Sequence, residues 1–219
     1  MGQQGRTTVT PLAIAVLALL EERPMHPYEM YQLLIARHED VLVKVRPGSL
    51  YHTVARLAGQ ELVSAEGIGR EGNRPERTTY RISESGRAAL RARVAEVLRK
   101  PAPEYPVFPV GLAEAHNLPK PDVLALLRER LEHLQRDLAD VETMVTLAGA
   151  NAVPRRYWVV LPYLRATLST EVTWVGDLIT EIDSGEMEWD EFDAETGARI
   201  SERKHARSAD FSSSELNPR

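Results

Sequence analysis

Hydrophobic residues recur at helical spacing near the start of the chain, alternate briefly as in strands in the middle, and return to a long helical period in the second half. In "TPLAIAVLALLEE" the apolar positions Leu12, Val16, Leu19 and Leu20 repeat every three or four residues, as one buried helix face requires. Thr10 is placed to cap that helix, Pro11 suits its first position, and Pro24 closes the segment. A second helix opens in "HPYEMYQLLIARH", with His26 as a weak cap before Pro27 and Met30, Leu33 and Leu34 on its apolar face. A third lies in "RPGSLYHTVARLAGQELV", where Leu50, Val54 and Leu57 stand at i, i+4 and i+7 and point inward together. Ser49, His52, Thr53 and Arg56 are then expected to face outward.

The period changes in "LVSAEGIGREGNRPERTTYRIS". Two strand-like runs flank a connection rich in glycine, arginine and proline, which predicts a β-hairpin of Leu62–Ile68 and Thr78–Ile82 with a long tip. Ser83 offers the next N-cap, and "SESGRAALRARVAEVLRK" continues as a fourth helix to about Arg99. Three helices, a hairpin and a helix make a winged helix-turn-helix. The third helix begins with small and polar groups where bulk would hold it away from a duplex, so its amides and side chains can approach phosphates and base edges. Ser49, His52 and Thr53 are candidates for base edges, and Arg56 for a base or a phosphate. Arg46 just precedes this turn, and Arg70, Arg74 and Arg77 crowd the hairpin tip, where they can neutralise phosphates.

These segments resemble the PadR family of bacterial transcriptional regulators. "TPLAIAVLALLEERPMHPYEM", "RPGSLYHTVARLAGQELV" and "RTTYRISESGRAAL" occur in the family's order and spacing and cover nearly all of residues 10–90. The resemblance implies a dimeric winged-helix repressor, in some members released from DNA by a small molecule, often an aromatic one. By position it implies DNA contacts at Tyr28, Ser49 and Tyr51, with Arg70 and Arg74 in the wing. Pro27 departs from the pattern, which usually has glycine before the tyrosine; proline is compatible with a first helical turn.

After the fourth helix come six prolines in the 23 residues "KPAPEYPVFPVGLAEAHNLPKPD", an extended connector with at most a short helix in its middle. The clearest periodicity of the chain follows. Leu124, Leu127, Leu131, Leu134, Leu138, Val141 and Val145 alternate spacings of three and four, an a/d seam that wants another helix against it. That partner is either a second copy or the run Tyr157, Leu161, Leu164, Leu168, Val172, Val175, Ile179 and Ile182 in the same chain, in a helix that Pro162 should start or kink. The PadR resemblance implies that these helices make a homodimer, as a palindromic operator in double-stranded DNA requires. Tyr157, Trp158, Tyr163 and Trp174 are the aromatics available for an effector pocket, although such residues also fill cores and interfaces. From Gly185 the chain turns polar and reads as a disordered tail.

The expected fold is thus mainly α: an N-terminal arm over 1–9, a winged helix-turn-helix over 10–100, a proline-rich linker over 101–118, a coiled-coil-like helical dimerisation domain over 119–184, and a tail over 185–219. Charge follows the same division. The formal net charge is −5, but residues 1–100 carry 15 Lys and Arg against 11 Asp and Glu, a balance of +4, while the remainder is at −9. A basic contact surface joined to an acidic part of different purpose fits that asymmetry.

Other chemistries find little support. "GIGREG", Gly67 to Gly72, matches the dinucleotide fingerprint and follows a strand, but Pro75 and "RTTYRI" come where the motif needs a helix. The six histidines include no i, i+4 metal pair, and no nucleophile elbow occurs, so neither catalytic residues, metal ligands nor a cofactor are expected. A winged fold serving only as a protein-interaction scaffold is the remaining alternative, against which the wing arginines argue. Cysteine is absent, and the longest apolar run, Leu12–Leu20, is far short of the roughly 20 residues a membrane span needs. That run also has no basic flank or small-residue cleavage site to make it a secretory signal, so a cytoplasmic, nucleoid-associated location fits best.

Overall fold

The computed structural model describes residues 9–69, 77–102, 104–190, 192 and 196, with the backbone alone at 68, 69 and 77. Two compact units divide between Glu104 and Tyr105. The first contains α1 (Pro11–Glu22), α2 (Pro27–Ala36), α3 (Pro47–Gly59), β1 (Val63–Gly69), β2 (Arg77–Ile82) and α4 (Glu84–Arg99).

Three of these helices start on the caps that the sequence offers. The Thr10 hydroxyl accepts from the Ala13 amide, the His26 ring from the Tyr28 amide, and the Ser83 hydroxyl from the Gly86 amide. Proline at the first position of α1 and α2 removes an amide that would otherwise need a partner. Leu17, Leu19, Met25, Met30, Leu34, Leu50, Val54 and Leu57 are almost wholly buried and form one core with Val63 and Ile82 from the hairpin. α1 is therefore enclosed on most sides, and the inward row of α3 is the predicted one.

β1 and β2 pair antiparallel, with Val63 opposite Ile82 and a bulge between Ala65 and Gly67, where Gly67 takes φ 154°. A third extended residue joins them from the turn between α1 and α2: Met25 and Tyr80 exchange both backbone hydrogen bonds, each 3.0 Å. At the base of the hairpin, the Ser83 and Ser85 hydroxyls both donate to the Glu61 carbonyl, at 2.7 and 2.8 Å. Gly86 presses so closely on this knot that a Cβ there would stand 2.1 Å from the Leu62 carbonyl oxygen.

The second unit contains α5 (Val107–Ala113), α6 (Lys120–Ala150) and α7 (Val160–Ser184). α6 and α7 pack side by side, burying Val123, Leu124, Leu127 and Leu134 against Val175, Leu178 and Ile182, with Leu131, Leu168, Val172 and Ile179 at the margin. The first four seam positions thus find their partner inside the chain, so this row is not an open face for a second copy. Val141 is also buried, whereas Leu138 and Val145 stay partly exposed. Pro162 lies in the first turn of α7, as a helix-starting proline should.

The proline-rich stretch carries a short helix in its middle, α5, and is packed rather than extended there. Phe108, Leu112 and Ala115 pack against the core of the second unit, and the Arg130 guanidinium stands 3.5 Å from the Phe108 ring centre while pairing with Glu171. Nor does the chain leave at Gly185: Met187 and Trp189 reach the same core, and the Trp189 indole donates to the Leu118 carbonyl at 2.9 Å. Two aromatic or thioether anchors within a polar sequence are enough to hold those residues down. The expectations for residues 1–8 and for 197–219 lie outside the described residues.

Candidate nucleic-acid interface

α3 differs from the other helices of its unit at its start. Arg46 occupies the cap with extended backbone, φ −135° and ψ 142°, and its side chain makes no capping hydrogen bond. Pro47 supplies no amide, and Gly48 has open space around its Cβ direction. The result is a slim, exposed helix end, the kind of end that accommodates an anion. Ser49, Tyr51 and His52 are exposed in the same turn and the next, with Tyr51 at 45%.

Two of the expected base contacts do not face outward. Thr53 is only 9% exposed, and its hydroxyl donates back to the Ser49 carbonyl at 2.8 Å. The apolar stripe of a helix spans about 100° or more, so Thr53 is carried inward beside Leu50, Val54 and Leu57, with its polarity satisfied locally. Arg56 is half-buried and turned toward its own unit, with contacts of 3.4 Å to the Gln60 side chain and to the Thr10 hydroxyl. In their place the outward row continues through Ala55 and Gly59, which are exposed. Their small size was the available signal, at three and seven residues beyond His52.

Tyr28 sits in the first turn of α2, 45% exposed. Pro27 is buried at the preceding position and leaves Tyr28 as the first amide of the helix, so the departure from glycine does not turn Tyr28 inward. His26 accepts from that amide at 3.1 Å and also stands edge-on to Tyr51, with ring centres 6.0 Å apart at 74°. Both carboxylates Glu22 and Glu29 are held below the usual range, each chiefly by its hydrogen-bonded arginine, Arg37 and Arg23 respectively. Glu21 is paired with Arg87. Glu21, Glu22 and Glu29 of α1 and α2 are thus matched by arginines, which lowers the repulsion they would exert on a polyanion. Glu39, by contrast, is raised by burial.

Arg70 and Arg74 lie outside the described residues. Arg77 is described by its backbone, which pairs with Gly69 across the hairpin. The strand pair of 63–69 and 77–82 also holds Met25, directly before His26.

The four aromatics expected at an effector pocket do not all converge. Tyr157 lies in a short 3-10 turn, 70% exposed beneath the Arg156 guanidinium. Trp158 donates its indole N–H to the Val153 carbonyl at 2.8 Å. Tyr163 and Trp174 instead bound an open depression of about 550 Å³ along α7, with Ala166, Thr167, Thr170 and Glu171 between them. Among the described residues no group of three metal-ligating side chains comes together, and no helix is long and apolar enough to cross a membrane.

The whole fold has known counterparts. Bacillus subtilis PadR in complex with operator DNA superposes with a TM-score of 0.64 at 17% identity, over 78% of this chain and 98% of that one. The same regulator in complex with p-coumaric acid gives 0.60 at 16% identity, over 78% and 98%. The Vibrio cholerae virulence activator AphA gives 0.61 at 19% identity, over 79% and 98%. At such identities the likeness is one of fold. No curated protein sequence matches the chain. The family model of the PadR-like transcriptional regulators matches residues 16–92, which run from the middle of α1 through the hairpin into α4. Residues 16–92 are therefore a PadR-like transcriptional regulator family domain.

Proposed function

We propose that this chain is a dimeric, DNA-binding transcriptional repressor of the PadR type. The observation that carries the reading is α3: it buries Leu50, Val54 and Leu57 completely, yet leaves its N-terminal turn uncapped, slim and lined by Arg46, Ser49, Tyr51 and His52. Burying that turn elsewhere would be costly, whereas duplex DNA supplies the acceptors it lacks. Ser49 and His52 read base edges, and Tyr28, Tyr51 and Arg46 meet the backbone. Arg70, Arg74 and Arg77 neutralise phosphates beside the groove.

The second unit joins two copies, so that two α3 helices address the halves of a palindromic site. Because the a/d row is mostly spent inside the chain, the contact falls to apolar side chains left outside it, among them Leu126, Leu147, Tyr163 and Trp174, all about half exposed or more. A small aromatic effector, of the kind bound by the Bacillus subtilis relative, relieves repression by changing how the two DNA-reading units are held. A DNA-reading role places the protein with the nucleoid.

A mobility-shift assay with genomic fragments tests the reading. Binding is expected to weaken steeply as salt rises, and Arg74→Ala to lower affinity on every sequence while reducing the salt slope by about 1. Failure to retard any fragment of the source genome at low salt overturns the proposal. A reporter driven from a bound promoter should rise when the gene for this chain is deleted; a fall would make it an activator.

A further inference from the structure

His26 is an odd choice of cap. Serine, threonine, aspartate and asparagine hold a helix start better, and α1 and α4 of the same unit use threonine and serine. Pro27 has already removed one amide and fixed the backbone, so any of those small residues would satisfy the Tyr28 N–H. What they would lack is a ring. The imidazole does two things at once: its Nδ1 accepts from the Tyr28 backbone at 3.1 Å, and the ring meets the side of Tyr51 in an edge contact at 6.0 Å and 74°. An accepting Nδ1 leaves the proton on Nε2, so the tautomer is set by the cap.

Tyr51 needs such a neighbour. It projects from the slim turn of α3 and is 45% exposed, so burial does little to choose its rotamer. Tyr28 is equally exposed at the start of α2. One side chain therefore links the backbone that carries the first tyrosine to the ring of the second, across the two helices of the helix-turn-helix. We propose that His26 is a positioning residue for DNA recognition, holding Tyr51 in its binding orientation relative to Tyr28. This rests on the DNA-binding reading above.

The test uses the full chain and a genomic fragment recovered by its binding to the wild type, with affinity followed by fluorescence anisotropy and folding by thermal melting. His26→Asn and His26→Ser keep a cap and lose the ring; His26→Phe keeps a ring and loses the cap. The cap-keeping variants are expected to melt with the wild type but bind roughly three- to tenfold more weakly, the size of one aromatic pair contact. His26→Phe should melt lower and yet, where it is folded, bind more tightly than His26→Asn. A purely structural role gives the opposite order, with affinity following stability, and that result overturns the proposal. In a Tyr51→Ala background His26→Asn should cost nothing more; an undiminished loss there also overturns it. Wild-type binding with unchanged affinity in both cap-keeping variants sinks this inference alone, while absence of wild-type binding to any fragment sinks it together with the DNA-binding reading.

Discussion

Single residues show how closely role and burial are separated in the winged unit. Gly86 is needed for its size: a methyl group would be forced onto the Leu62 carbonyl oxygen at 2.1 Å and the Ile82 side chain at 2.8 Å. Because the nearer obstacle is backbone, Gly86→Ala should destabilise the unit by about 3 kcal/mol, the upper range of overpacking, as read by chemical denaturation. Thr53 gives the opposite test. Its hydroxyl closes a bond to the Ser49 carbonyl within α3, so Thr53→Val should change stability by under about 1.5 kcal/mol and leave the preferred DNA sequence untouched. His52→Ala, one position earlier and exposed, should shift the preference at one or two base pairs by about 1–3 kcal/mol each in a binding selection. A shift for Thr53→Val instead would mean that α3 turns on its axis when bound.

Elements explain which parts of this architecture were legible in the sequence. Starts of α1, α2 and α4 were plain because a cap, joined in α1 and α2 by a first-turn proline, acts within four residues. The inward row of α3 and the pairing of the hairpin were also local patterns. What escaped depends on neighbours far along the chain. Met25 bonds Tyr80, Trp189 bonds Leu118, and Phe108 lies under Arg130, and no period in the sequence announces any of them. The a/d seam was visible, but its partner was not, since a heptad row fits a helix of the same chain as well as one of another. A salt link between elements adds a pH dependence. Glu22 on α1 receives the Arg37 guanidinium just beyond α2, one contact at 2.9 Å, which holds its carboxyl below the usual range. A folded-state value below the unfolded one stabilises above the unfolded value, and that stabilisation fades as pH falls through the folded one. Glu22→Gln should therefore lower the melting temperature slightly at neutral pH, and the difference should vanish in acid beneath the ordinary carboxylate range. The pair is over 40% exposed at both side chains, so less than about 1 kcal/mol is at stake.

At the scale of the whole molecule, charge and association work together. The balance of +4 over residues 1–100 and −9 beyond them gives the chain two ends that respond oppositely to a polyanion. On the proposed reading, attraction to DNA falls on the part that carries α3, which would orient the encounter before any base is touched. If two copies meet through the outer face of α7, charging that face should separate them. Tyr163→Glu with Trp174→Glu is expected to sediment as a monomer, to keep its helical circular dichroism, and to bind a palindromic fragment with the affinity of a half-site. A dimer that survives this change would have to use another surface. The reciprocal bonds of Met25 and Tyr80 bear on the same encounter. They clamp the second strand of the hairpin to the residue preceding His26, so the hairpin base and the start of α2 form one stiff piece before any duplex arrives. On the proposed DNA-binding reading, less freedom would then be lost there on complex formation, and more of the contacts of both parts would go into affinity rather than into ordering the chain.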